Sequence, residues 1–272
     1  MASMNEKENT TSRSISSTQS TILEQGDIFF FYRPKVRSEK VESIEDVRRF
    51  FMVLAPESKD KKDLYRLLVI GKKSLPEIRE SEARSSERFW ARVGGIFDHP
   101  TQLTKELVSE EFREGDIARP VGEGKYAIIN HSNHTELAFV LELPKEPGEA
   151  QKELGIEKEA SYIITVINPK IPRSGEHLPT TEEAPRYPES ILKDFSDNEN
   201  FVPLSRNLKF IDYQNAQVIL IGAREGKATL TQELGITVEN ENESEKSADI
   251  FTRLRIQKDK IPIKPLTQGK LE

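Results

Sequence analysis

The densest run of polar side chains is Asn130-His-Ser-Asn-His-Thr-Glu136, which holds two of the four histidines of the chain. In a turn or one helical turn, His131 and His134 could converge on a divalent metal ion, with Glu136 or Glu123 as third ligand. On an extended strand the same spacing places the two rings on opposite faces. The run matches no known metal signature, and polar residues at hairpin tips commonly satisfy local backbone groups. We therefore expect no metal ion here and retain both histidines as candidate catalytic acid–base groups.

A glycine-containing segment, Arg119-Pro-Val-Gly-Glu-Gly-Lys125, stands directly before this run. Gly122 and Gly124 would let backbone N–H groups approach an anion, and Arg119 and Lys125 would add positive charge. The segment lacks the spacing of a P-loop, so a glycine turn that leads into a strand is the simpler interpretation. These four residues are the candidate ligand-binding residues. Together with the two histidines they would suit a small anionic ligand, such as a phosphate or a carboxylate.

The chain lacks several common kinds of catalytic machinery. It contains no cysteine, which excludes disulfides, thiolate nucleophiles, Cys-ligated zinc and iron–sulfur clusters. It has no Gly-x-Ser-x-Gly motif, and no cofactor-binding signature is present, so we expect no cofactor. These observations favour a non-enzymatic binding or protein-interaction module. The alternative is an enzyme acting on a phosphorylated or carboxylated small molecule, with His131 or His134 as acid–base and Arg119 as anion clamp.

Composition narrows the set of partners. The 272 residues are 35% hydrophobic and 32% charged, with a net charge of −6. An acidic chain of this kind is not drawn as a whole to nucleic acid or to an anionic membrane. No apolar run has the length of a transmembrane helix, and the N-terminus lacks the apolar core of a signal peptide. We therefore expect a soluble, cytoplasmic protein with no membrane partner. A nucleic-acid-associated protein that uses its basic C-terminal tail is a third, less favoured class.

The pattern of charge and apolar residues predicts three regions. Residues 1–21 are polar and Ser/Thr-rich, which indicates disorder. Residues 22–236 form one globular β-rich domain, and residues 237–272 form an acidic linker followed by a basic tail. Within that tail, alternating apolar residues at 250–256 would suit an edge strand that docks on this molecule, on a second copy or on a protein partner.

One pattern occurs twice along the chain. A strand-like run ending in proline (residues 51–56 and 139–144) is followed, after a charged insert, by a second run opening with tyrosine (residues 65–76 and 162–172). The pattern predicts two related β units, at 26–76 and 124–172, although coincidence is an alternative explanation.

These patterns together predict the fold class. Helical and strand-like segments do not alternate strictly, which argues against a doubly wound parallel sheet. We expect an α+β, β-rich fold, in which two related units form an antiparallel sheet or barrel-like core with a few short helices. The residues predicted to be buried in it are Phe29, Phe51, Leu68, Phe139, Ile164 and Ile219.

Overall fold

A computed structural model of the chain describes residues 20–35, 41–57, 63–78, 88–108, 117–171, 184–223 and 248–272. The strands are β1 (Thr21–Pro34), β2 (Val47–Pro56), β3 (Tyr65–Ile70), β4 (Phe89–Phe97), β5 (Arg119–Asn130), β6 (Thr135–Leu143), β7 (Glu159–Ile167), β8 (Phe201–Pro203) and β9 (Gln217–Gly222). The α-helices are α1 (Pro100–Leu107), α2 (Glu149–Glu153), α3 (Glu189–Leu192), α4 (Asp249–Thr252) and α5 (Lys264–Gln268). Short 3-10 helices lie at Ile44–Asp46, Leu208–Ile211 and Lys258–Lys260.

Eight strands close into an antiparallel barrel, as the predicted β-rich class allows. The strand order is β6-β5-β1-β2-β3-β4-β9-β7, and β7 pairs again with β6 to close the ring. The short strand β8 pairs with β7 outside this ring. Closure removes the unpaired edges of the sheet.

The inside of the barrel is filled by side chains. Inward-facing residues alternate with outward-facing ones, so β1 sends Phe30 and Tyr32 inward and Phe29 and Phe31 outward. All four are completely buried, because β1 is covered on both faces. This explains why residues 28–32 of β1 are continuously apolar. The six residues predicted to be buried are all at most 2% exposed, so that prediction is confirmed.

Both ends of the barrel are covered. At the end that carries the connection between β5 and β6, here called the hairpin end, Phe195 stacks on Phe210, and Tyr187 packs at an angle against both rings. All three join the interior core. At the opposite end, here called the far end, α2 packs against α5 through a hydrogen bond from Ala150 N–H to the Gly269 carbonyl.

A second apolar layer covers the outside of β1 to β3. It contains Leu103 and Leu107 of α1 together with Ile250, Leu254 and Leu266. The last three belong to residues 248–272, so this part of the segment predicted to be a linker and tail packs on the barrel. Within the stretch predicted as an edge strand (250–256), residues 250–252 belong instead to helix α4, whose Ile250 packs into the outer layer. Residues 1–19 and 224–247 lie outside the described residues.

The two predicted units occupy corresponding places in the barrel. Outward from the central β1–β5 pair, the order is β2, β3, β4 in one direction and β6, β7, β9 in the other. The residues that match in the two sequence units nevertheless do not occupy equivalent positions in their strands. Phe51 faces the outer layer, whereas Phe139 faces the barrel interior. A shift of one residue along a strand reverses every side chain, so the similarity lies in strand order rather than in residue-by-residue correspondence.

Strand β4 contains a bulge at a pair of glycines. Gly94 and Gly95 lie within β4, where Gly94 is the extra residue of a bulge opposite Leu67 and Leu68. Ser43 forms a capping box that begins the 3-10 helix at Ile44–Asp46. Among the described residues the longest helix is α1, with eight residues, and no helix has the length and apolarity needed to cross a membrane.

Candidate functional site

The two histidines face each other across the tip of the β5–β6 hairpin. The ladder pairs Ile129 with Glu136 and Asn130 with Thr135, so His131 stands opposite His134 with only Ser132 and Asn133 between them. A hydrogen bond of 2.9 Å from His131 N–H to the His134 carbonyl closes this two-residue turn. Directly opposed residues share a face of the sheet. The rings therefore stack on the outer surface, with centroids 4.9 Å apart.

Glu136 completes a cluster of three possible metal ligands. It lies two residues beyond His134 on β6, and alternation places it on the same face. Its Oε1 is 2.6 Å from His134 Nε2, and its Oε2 is 3.5 Å from His131 Nε2. One donor atom from each of the three residues lies within 4.8 Å of the other two. A two-residue turn lets these three side chains converge, whereas a continuous strand would place the two histidines on opposite faces.

Surrounding groups orient this cluster. Asn133 Oδ1 lies 2.6 Å from His134 Nδ1, so that nitrogen can donate its proton to Asn133 while Nε2 faces Glu136. Ser161 on β7 donates a 2.6 Å hydrogen bond to Glu136 Oε2. Metal-binding histidines and carboxylates usually have outer hydrogen bonds of this kind, which fix the tautomer and the orientation of each ligand.

His131 presents a buried nitrogen without a hydrogen bond. Its Nε2 is shielded from solvent and hydrogen-bonds to none of the described residues. Buried polar atoms in proteins almost always have a partner. The side chains of His131, His134 and Glu136 are 28%, 27% and 13% exposed, so an ion could reach them from solvent. Imidazole nitrogens with one carboxylate oxygen are ligands that zinc and related transition metals accept.

Lys125 belongs to a different cluster on the outer face. Its Nζ is 2.7 Å from Asp27 Oδ1 and 3.5 Å from Asp249 Oδ2, and Arg253 also pairs with Asp27. Glu123 accepts hydrogen bonds from the backbone N–H groups of Asp249 and Ile250 at the start of α4. These contacts bind residues 248–272 to the barrel wall. Lys125 and Glu123 thus hold α4 in place, at a distance along β5 from the histidines.

Gly122 and Gly124 form part of strand β5 and make no glycine turn. They pair with Phe30 and Ile28 of β1, so their backbone groups belong to the barrel ladder. A Cβ on Gly124 would lie 2.0 Å from the Val140 carbonyl oxygen. Glycine is needed at that position because the neighbouring strand approaches too closely for a side chain. The expected anion-binding loop is therefore absent from these residues.

Arg119 lies at the far end, away from the histidines. It begins β5, whereas His131 directly follows the last residue of that strand. Twelve residue steps at about 3.3 Å each separate the two positions by roughly 30–40 Å. The structure brings together His131, His134 and Glu136, and it does not bring Arg119 or Lys125 to them. The arrangement of all these side chains around one anion, which the sequence suggested, is not formed.

The structure contains a buried charge network at the hairpin end that the sequence did not predict. Arg66 contacts both oxygens of Glu24, at 2.6 and 3.1 Å, and Asp212 at 2.7 Å. Tyr126 donates a 2.8 Å hydrogen bond to Glu24. Burial lowers the pKa of Arg66, but the two carboxylates outweigh it and the net shift is upward. No sequence signal predicted this network, since Glu24, Arg66 and Asp212 come from three distant segments.

One depression at the same end contains none of the predicted site residues. Its volume is about 250 Å³, and Ala184, Arg186, Tyr213, Gln214 and Asn215 line it. Comparison of the chain with models of protein families, with curated proteins and with solved structures gives no match. The hairpin geometry is therefore the basis for a proposal of function.

Proposed function

We propose that this protein is a non-enzymatic binding module that, contrary to the expectation of no metal ion from its sequence, holds a divalent transition-metal ion at the tip of its β5–β6 hairpin. The observation that carries the proposal is the convergence of His131, His134 and Glu136 to within 4.8 Å. Zn²⁺ is the ion we would test first, because nitrogen and carboxylate oxygen ligands bind it at about 2.0–2.2 Å. The site would then be a rim site, as expected for a barrel whose interior is occupied by its own side chains.

The outer contacts support the proposal. Asn133 holds the Nδ1 side of His134, and Ser161 holds the oxygen of Glu136 nearest to His131. A bound ion would replace the His134–Glu136 hydrogen bond and would give the buried Nε2 of His131 a partner. Three protein ligands also leave a coordination position for water or for a donor atom from another molecule.

The enzyme alternative draws less support from the geometry. That alternative needs Arg119 to hold a phosphate or carboxylate beside the histidines, but the two ends of β5 separate them. Lys125 also forms ion pairs with Asp27 and Asp249, and these pairs hold α4 against the barrel. A binding role requires only the three residues that are already together.

Isothermal titration of the purified, chelator-treated chain with ZnCl₂ tests the proposal. We expect one Zn²⁺ per chain, with binding lost in His134→Ala and in Glu136→Gln. Each loss should exceed the roughly 10- to 100-fold change typical of removing an outer hydrogen-bond partner. His99→Asn is the matched control, since it removes an imidazole at the start of α1 and replaces it with another residue that caps helices well.

Two results would contradict the proposal. One is no saturable binding to the wild-type chain. The other is binding that both hairpin variants retain at wild-type affinity, which would place the ion elsewhere. Circular dichroism of each variant shows whether the barrel itself is intact.

A further inference from the structure

Arg119 buries a guanidinium at the far end of the barrel without a counter-ion. The residue is 7% exposed, and neither Nε nor Nη1 forms a hydrogen bond with any described residue. Within the described chain, no carboxylate lies within ion-pair distance of it. A buried cation without a partner is strongly unfavourable, because it has lost its hydration and gained nothing in return.

Arg66 at the hairpin end provides an internal comparison. It too is a buried arginine near one mouth of the barrel, and its side chain is 3% exposed. Its Nε, Nη1 and Nη2 all donate to Glu24 or Asp212. Among the described residues, two carboxylates pair with one buried arginine and none pairs with the other. This difference indicates that the anion for Arg119 comes from outside the described chain.

The surroundings of Arg119 include further polar groups. Arg119 pairs with Tyr32 across the β1–β5 ladder, so both side chains face the inside of the barrel. The Tyr32 hydroxyl is 3.2 Å from the backbone N and from a main-chain carboxylate oxygen of Glu272, the last residue of the sequence. Nearby, Gln151 donates to the carbonyls of Val121 and Pro265, which ties α2 and α5 to β5. These contacts shape a confined mouth in which the Arg119 guanidinium forms no ion pair with a described residue.

We propose that Arg119 is the centre of a second binding site, which takes a small oxyanion such as phosphate or a carboxylate at the far end of the barrel. The planar fork of a guanidinium matches two oxygens of either group. Because only 7% of Arg119 is exposed, a small anion or the end of a chain could reach it more easily than a bulky ligand. This proposal does not depend on the metal site, which lies at the opposite end.

Thermal unfolding with added anions tests the site on the full chain without added metal. Sodium phosphate should raise the melting temperature of the wild type, and sodium chloride at equal ionic strength should not. An acetate arm distinguishes a carboxylate preference from a phosphate preference. Arg119→Met should lose the anion dependence and should be at least as stable as the wild type in anion-poor buffer. Arg206→Met, which removes a more exposed arginine, should keep the wild-type dependence.

A direct measurement covers the case in which Arg119→Met fails to fold. In ¹⁵N-labelled wild type, the Nε–Hε resonance assigned to Arg119 through Arg119→Lys should shift saturably with phosphate or acetate. No shift, or a weak linear shift shared by other arginines, would overturn the proposal. Equal phosphate dependence in Arg119→Met and in the wild type would overturn it as well.

Discussion

Ser161 and Glu136 lie on neighbouring strands and are joined by a 2.6 Å hydrogen bond from Oγ to Oε2. The β6–β7 ladder pairs Ala138 with Ser161 and Glu136 with Ile163, so the two side chains are diagonal neighbours on the outer face. The bond holds the carboxylate in the position from which it contacts both histidines. It therefore connects barrel closure, which depends on the β6–β7 pair, to the geometry of the hairpin cluster.

Ser161→Ala should weaken Zn²⁺ binding without abolishing it. All three proposed ligands remain, but Glu136 loses the contact that orients it, and losses of this kind cost about 10- to 100-fold in affinity. Titration calorimetry gives the ratio of dissociation constants. Ser132→Ala, at the exposed tip of the same hairpin, is the control and should bind as the wild type does. Equal affinities in all three proteins would show that the hydrogen bond does not position a ligand.

Arg66→Met should destabilise the fold by about 3–5 kcal/mol. It leaves the partly buried carboxylates of Glu24 and Asp212, 12% and 26% exposed, without their buried cation, and such uncompensated charge is costly. Urea unfolding followed by circular dichroism measures the change. The double variant Arg66→Met/Glu24→Leu should recover part of the loss, because an apolar pair needs no partner. A single variant as stable as the wild type would mean that the network contributes nothing to folding.

Glu123→Gln should loosen residues 248–272 while leaving the barrel folded. Glu123 is 1% exposed, and each of its two carboxylate oxygens accepts one backbone hydrogen bond. Glutamine would keep only one of these two oxygens and would place an amide N–H₂ group at the other position. Hydrogen bonds to a charged group are worth roughly 1.5–3 kcal/mol. We expect faster amide exchange at Ile250 and faster tryptic cleavage after Arg253.

Glu149→Gln, at an exposed position in α2, is the control for this change and should match the wild type. Cleavage rates that are the same in all three proteins would argue that the Lys125 and Arg253 ion pairs alone hold the segment.

Stability should fall as the pH rises above about 10. Burial raises the pKa of five of the six tyrosines above the usual 10.0, in the case of Tyr65 to about 12. The others are Tyr32, Tyr126, Tyr162 and Tyr187. A raised folded-state pKa means that the native state holds the proton more tightly, so its contribution is complete below the unfolded value and is lost as the pH increases.

Absorbance at 295 nm and circular dichroism, recorded through one alkaline titration, check this expectation. Ionisation of the five buried phenols should coincide with loss of β structure. Phenolate formation near pH 10 in five residues of a still-folded barrel would contradict their burial.

The position of the hairpin site could be predicted from the sequence, but its geometry could not. The run from Asn130 to Glu136 stood out by its residue types. The spacing of the histidines fits convergence in a turn or in one helical turn but not on a strand, and it does not specify which of these forms. Counting outward from Ser132 and Asn133 pairs His131 with His134 and places both on the face of Glu136. The register of the β5–β6 hairpin decides this arrangement, because a shift of one residue moves every side chain to the other face of the sheet.

Local sequence by itself determined the β-rich class, most strand positions and the buried residues, because alternating or continuous apolar runs fold as strands wherever they can be covered. Only the tertiary structure decided which distant segments meet. Glu24, Arg66 and Asp212 converge although 42 and 146 residues separate Arg66 from its partners. Arg119 and His131, close in sequence, are held apart by an extended strand. Barrel closure fixes these relationships through pairings between strands remote in the chain, and no local pattern encodes such pairings.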